Sequence, residues 1–156
     1  IGYVPELTRI PVSPCDIDVL LYGSINRRRA AVLEELTARG LAVETLFDRY
    51  GEERDRYISR SKIVLNVHYY EARVFEIVRI SYLLANRRCV VSEAGDDGDL
   101  EKPFREGVAF APYEDLVEAC TRYVWDDDLR DRIAGSGFSA MEALPQAAFL
   151  EEALGG

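Results

Sequence analysis

The chain is poor in the side chains that most often build metal and thiol chemistry. Among 156 residues there is one His and there are three Cys, at positions 15, 89 and 120, with no Cys-x-x-Cys pair. That number and spacing exclude a zinc knuckle or a disulfide framework and point to a reducing, cytoplasmic setting. No apolar run approaches the ~18–20 residues of a membrane span, so no transmembrane segment is expected. The Gly-x-Gly-x-x-Gly fingerprint of dinucleotide binding is missing. Positive charge is also short: Lys and Arg number 19 against 28 Asp and Glu, a formal charge of -9. A general nucleic-acid binder, which needs a basic face, is excluded on that balance.

What remains is the composition of a globular domain, 48% hydrophobic and 30% charged, in a length that suits one folding unit. Residues 1–17 carry Pro5, Pro11 and Pro14 without a sustained period and read as a lead-in or linker. Residues 18–156 then alternate two patterns. Short apolar runs fall at 18–22, 42–47, 63–67, 89–92 and 107–111, each of the length of a buried strand. Helical stretches follow them: from the Ser24 or Asn26 cap to about Arg39, closed by Gly40; Gly51–Ser61; Phe75–Asn86; and Asp115–Trp125. Further short helices cover Leu129–Leu154. Such alternation predicts an α/β fold, a Rossmann-like doubly wound parallel sheet of about five strands with extra C-terminal helices. Ligands of these sheets bind beyond the carboxyl ends of the strands. Attention therefore falls on the loops at 22–27, 68–76 and 92–99.

In the first loop, Gly23 allows close backbone approach and Ser24 or Asn26 caps a helix whose free N–H groups suit phosphate. Arg27 or Arg28 can add a charged contact; an ordinary capped turn with exposed arginines is the alternative. The second loop gathers His68, Tyr69, Tyr70, Glu71, Arg73, Phe75, Glu76 and Arg79 between a buried strand and an apolar helix. So many polar groups are expensive to desolvate without partners. Arg73 or Arg79 can hold a diphosphate, and Glu76 can accept ribose hydroxyls. Glu76 and Arg79, three apart, can equally form a simple ion pair. His68 can be a structural residue, and Tyr69 and Tyr70 can stack on a base or cover the sheet edge. The third loop, Ser92 to Asp99, is acidic without the calcium-loop spacing, and reads as solvated. Trp125, Phe138 and Phe149 offer a contact surface for another domain.

The run Arg73-Val74-Phe75-Glu76, an apolar helix, then Arg88-Cys89-Val90-Val91-Ser92 resembles the donor-binding segment of GT-B glycosyltransferases. Gly2-Tyr3-Val4-Pro5-Glu6 followed by Asp18-Val19-Leu20-Leu21-Tyr22-Gly23-Ser24 is similar to the interdomain join and first strand of their C-terminal half. The resemblance covers roughly residues 1–125. The glycines that many members carry before the helix and before the fourth strand are replaced by Glu71-Ala72-Arg73 and Asn86-Arg87-Arg88. The resemblance implies a fragment of a two-domain glycosyltransferase that binds a nucleotide diphosphate sugar, with Glu76 at the ribose and the Gly23-Ser24 turn at the diphosphate. It implies no metal or cofactor. The acceptor site and any catalytic base would lie on a missing N-terminal domain. The alternative is a non-catalytic Rossmann-like regulatory or interaction domain, which would show a flat apolar patch where a nucleotide site needs a basic cleft. A phosphoacceptor receiver domain fits poorly, because no Asp ends a strand.

Overall fold

A computed structural model describes residues 2–70, 75–96 and 98–154, except the side chains of Phe149, Leu150 and Glu152. Five parallel strands, β1 (Ile17–Tyr22), β2 (Val43–Leu46), β3 (Ser61–Asn66), β4 (Val90–Glu93) and β5 (Ala109–Ala111), form one sheet in the order β2-β1-β3-β4-β5. The helices are α1 (Arg27–Ala38), α2 (Gly51–Ser59), α3 (Ile77–Ala85), the one-turn α4 (Gly98–Glu101), α5 (Leu116–Trp125), α6 (Asp127–Glu142) and α7 (Gln146–Leu154).

The near-continuous apolar strands are explained by burial on both faces. Val19, Leu21, Ile63, Leu65 and Val91 pack with Val32, Leu33 and Leu36 of α1 and Leu116, Cys120 and Val124 of α5. Leu20, Val64 and Val90 point the other way, onto Ile58 of α2, Ile80, Leu83 and Leu84 of α3, and Met141 of α6. The edge strands β2 and β5 are short, which limits the unpaired backbone they offer to other chains.

Local chemistry sets the helix ends. Asn26, not Ser24, caps α1: its Oδ1 accepts the Arg29 N–H at 3.0 Å. Gly40, at φ 84°, turns the chain out of α1. The acidic run Asp126–Asp128 begins α6, where Asp126 accepts the Leu129 N–H and negative charge favours the dipole. α6 is a full 16-residue helix rather than a short one. The third loop also differs from its solvated reading. Glu93 belongs to β4 and is buried, and Gly98–Glu101 coils into a turn whose Glu101 accepts the Gly95 N–H. Asp97 lies outside the described residues.

Residues 2–16 pack back on the domain. Asn86 spends its whole amide on them and on its own helix: Oδ1 accepts from Arg9 and Ile10, and Nδ2 donates to the Leu7 and Tyr82 carbonyls. Tyr3 exchanges backbone bonds with Leu144 and Gln146 and meets Phe138 edge to face. Phe138 is therefore buried rather than available for docking, with the Arg87 guanidinium 3.8 Å from its ring centroid. Trp125 is exposed, and the Phe149 side chain lies outside the described residues.

α6 closes on the sheet through two glycines. A Cβ on Gly137 would lie 2.6 Å from Leu84 Cδ2 and 2.9 Å from the Gly107 carbonyl oxygen, and one on Gly107 would lie 2.3 Å from the Gly137 Cα. Gly137→Ala and Gly107→Ala should each cost about 1–3 kcal/mol through overpacking. Chemical denaturation reads this out, and midpoints equal to wild type would show that α6 does not seat here.

Candidate functional site

The strand order places a crevice beside β1. The chain leaves β1 towards β2 on one side, and β3 lies on the other, so the β1–α1 and β3–α3 turns diverge at their carboxyl ends. A cleft of about 640 Å³ opens there, lined by Gly23, Ser24, Arg29, His68, Tyr69, Tyr70, Phe75, Glu76 and Arg79. A second, of about 690 Å³, shares Phe75, Glu76 and Arg79 and extends past Tyr22, Arg54 and Tyr82 to Leu7 and Arg9.

Glu76 stands at the junction, just before α3, and does not cap that helix with its side chain. Instead Oε1 lies 3.3 Å from Arg29 Nη2 and Oε2 lies 3.1 Å from Arg79 Nη1. Arg29 is 2% exposed. Its Nε donates to the Val67 carbonyl and its Nη1 to the Ser24 carbonyl, both at 2.8 Å. One guanidinium thus ties the β1–α1 turn to the end of β3. Burial lowers the Arg29 pKa and the Glu76 charge opposes that shift. Arg79 donates to Asn66 Oδ1 and lies over Tyr22. Burial pushes the Tyr22 phenol up to about 12 even beside Arg79 and Arg54.

Gly23, at φ 119°, is needed twice. Only glycine adopts that backbone cheaply, and a Cβ would stand 3.1 Å from Arg79 Nη2 and 3.4 Å from Arg29 Nη1. Around Tyr22 and Tyr82 the second cleft gathers Arg9 and Arg54, both paired with Asp55. Across the two clefts, Arg9, Arg29, Arg54 and Arg79 face Glu76 and Asp55, a cationic excess on an acidic chain.

Beneath the first cleft, Glu93 is 1% exposed. It accepts two bonds from Arg28, at 2.6 and 3.1 Å, and the His68 N–H at 2.9 Å. Arg28 also donates to the His68 carbonyl, and its guanidinium lies over the Tyr113 ring.

The structure brings together most of the residues singled out from sequence. Gly23, Ser24, His68, Tyr69, Phe75, Glu76 and Arg79 all line the first cleft. Asn26 stays just behind it, donating to the Tyr69 carbonyl at 2.8 Å. Arg27 is exposed and lines neither cleft. Arg73 lies outside the described residues. Sequence reasoning passed over Arg29, Arg54 and Glu93. Arg29 follows Arg27 and Arg28 in a run that also fits exposed arginines, yet it lies three residues after the Asn26 cap and is buried. Among the described residues no group of three or more potential ligands could hold a metal ion. No helix among them is long and apolar enough to cross a membrane. Cys89 and Cys120 are free, and burial pushes both thiols up to about 12, which removes them as thiolates at neutral pH.

Burial alone would raise the Glu93 pKa, but the Arg28 and His68 hydrogen bonds outweigh it and hold the carboxyl below its usual range. A depressed folded pKa stabilises the protein above the unfolded value and is lost as pH falls through the folded one. Stability should therefore drop below about pH 4. Glu93→Gln should flatten that acid limb and cost about 1–3 kcal/mol at neutral pH, since it leaves Arg28 without its carboxylate. Urea unfolding from pH 3 to pH 7 measures both, and parallel curves for the two proteins would exclude the pair as the cause.

Solved structures share this architecture. TarM superposes with a TM-score of 0.68 at 13% identity, over 94% of this chain and 37% of that one. Sucrose-phosphate synthase from Thermosynechococcus elongatus superposes at 0.66 with 18% identity, over 99% of this chain and 49% of that one. The C-terminal domain of the group 1 glycosyl transferase LpcC from Francisella tularensis gives 0.63 at 11% identity, over 91% and 97%. By sequence, the uncharacterized proteins L140 and L138 of Acanthamoeba polyphaga mimivirus are 28% identical over 114 residues and 32% identical over 108. These stretches cover 71% and 67% of this chain but only 38% and 12% of the viral proteins. The fold is that of a GT-B C-terminal domain. The glycosyl transferase-like family model matches residues 15–147, most of the chain, and the chain belongs to that family.

Proposed function

We propose that this domain binds the nucleotide diphosphate sugar donor of a glycosyltransferase, and that the whole protein transfers the sugar to an acceptor. The observation that carries the reading is the Glu76 carboxylate, held at the junction of two clefts by Arg29 and Arg79. Each guanidinium takes one carboxylate oxygen, which leaves a lone pair on each oxygen. That pair of acceptors matches the vicinal hydroxyls of a ribose. Arg79 and the Gly23–Ser24 turn face the same space, where a diphosphate needs cations and unhindered backbone. A departing diphosphate is stabilised by charge fixed in advance in this way. Tyr22, Tyr82 and Arg54 in the second cleft offer ring faces and a guanidinium plane to a base.

The cationic excess at the strand ends favours this reading over a contact module, which would present a flat apolar face there. A domain that spans 37% of TarM and 49% of sucrose-phosphate synthase fits a division of labour in which the acceptor and any catalytic base lie on a preceding domain. Free cysteines suit work in the cytoplasm.

Calorimetry with UDP, GDP and ADP tests the reading. One of them should bind, and Glu76→Gln should weaken it roughly 10–100-fold, the worth of a charge-assisted contact, with the fold retained by circular dichroism. Absence of binding at millimolar ligand, or an unchanged affinity in the variant, would remove the nucleotide from this cleft.

A further inference from the structure

The segment ahead of β1 has little regular structure beyond a single 3₁₀ turn at Pro5–Leu7, yet it is tied down along its length. Tyr3 is bonded to Leu144 and Gln146, the Thr8 hydroxyl donates to the Ala85 carbonyl at 2.7 Å, and the Ser13 hydroxyl donates to the Ser59 carbonyl at 2.9 Å. The firmest tie is the buried Asn86 amide. Its Oδ1 accepts both the Arg9 and the Ile10 N–H at 2.8 Å, and its Nδ2 donates to the Leu7 carbonyl at 2.8 Å. Asn86 itself lines neither cleft. It holds residues 7–10 as a strap at the end of α3, and Leu7 and Arg9 of that strap line the second cleft.

Backbone and side chain of the strap are held very differently. Arg9 Nε donates to the Tyr82 hydroxyl at 3.0 Å and stands 3.4 Å from Asp55 Oδ2, but the side chain is 56% exposed. An ion pair so open to water contributes little. The Asp55 carboxylate is also shared, since it accepts the Tyr82 hydroxyl at 2.8 Å and Arg54 Nη2 at 3.1 Å. Arg9 from the strap, Arg54 and Asp55 on α2 and Tyr82 on α3 thus form one cluster, in which two guanidiniums share one carboxylate. A guanidinium carries five N–H donors, and the closest approaches of Arg9 to Tyr82 and Asp55 both use Nε. Its terminal N–H groups are the ones available to an acceptor in the cleft it lines. A ligand there also displaces water from the cluster, and attraction between its charges rises as the local dielectric falls.

We infer that docking of the strap is coupled to occupancy of the second cleft, with Arg9 as the residue through which ligand and strap hold one another. The identity of the ligand rests on the nucleotide reading above. Coupling of this kind is reciprocal: the factor by which the ligand tightens the strap is the factor by which the docked strap tightens the ligand.

Amide hydrogen exchange on the whole chain, with and without saturating UDP, GDP or ADP, reads the strap, and calorimetry reads the affinity. The nucleotide that binds should slow exchange of the Arg9 and Ile10 amides roughly fivefold, the low end of ordinary coupling. Arg9→Ala should abolish that gain and weaken the same nucleotide by a similar factor, with the α2 and α3 amides protected as in wild type. Asn86→Ala loosens the strap from outside the clefts. Its strap amides should exchange faster, its affinity should fall towards that of Arg9→Ala, and the double variant should bind no more weakly than Arg9→Ala alone. Thr8→Val, which removes only the bond to Ala85, serves if the Asn86 variant does not fold. Strap amides that exchange equally with and without bound nucleotide, or an Asn86→Ala protein with fast strap exchange and wild-type affinity, would overturn the coupling and leave the nucleotide reading intact. Failure of wild type to bind any of the three nucleotides would instead sink the nucleotide reading, and this inference with it.

Discussion

A single buried guanidinium, that of Arg29, joins the two turns between which the cleft opens. Its bonds reach the Ser24 carbonyl on the β1 side, the Val67 carbonyl on the β3 side and the Glu76 carboxylate at the start of α3. Taking such a charge out of water is costly and tolerable only when its N–H groups are matched. Each of these partners is thus fixed relative to the others. Gly23 belongs to the same constraint, since its bare α-carbon leaves room for Arg29 and Arg79 to come together over the turn. Glu76 is placed at the junction by packing and charge, not by helix capping.

A second polar layer supports the first from below. Asn66, Ser92 and Glu93 are buried at the carboxyl ends of β3 and β4. Asn66 donates to Ser92 and accepts from Arg79, while Glu93 and Arg28 clamp His68. The strands supply an apolar interior along their length and a hydrogen-bonded floor at their ends. A polar floor of this kind is stable only when its members are satisfied. The Nε2 of His68 departs from that rule, at the point where the floor meets the cleft. The acidity of the chain as a whole has little bearing on the crevice, because its arginines converge there while Asp126–Asp128 sit at the start of α6, with Asp126 as its cap.

Much of this organisation was legible in the residues. The five apolar runs became five strands, with ends shifted by a residue or two. Gly40 ended α1 and Asn26 began it, because capping and left-handed backbone depend on neighbours only a few positions away. The apolar character of α3 made Glu76 conspicuous at its start. The loops at the carboxyl ends were found from strand alternation alone. What misled was charge. Arg29 lies in a run that also fits exposed arginines and Glu93 in a loop that reads as solvated, and a polar run records composition without direction.

The sequence by itself determined the alternation of strand and helix, the caps, and the glycine and glutamate on which a nucleotide site would depend, since these follow from periodicity and local bonding. The tertiary structure decided which arginine turns inward, which carboxylate each arginine meets, and that His68 Nε2 has no hydrogen-bond partner among the described residues. The physical reason is distance along the chain: Arg29 meets Glu76 across 47 residues and Arg28 meets Glu93 across 65. Only the order of strands in the folded sheet brings those charges within reach.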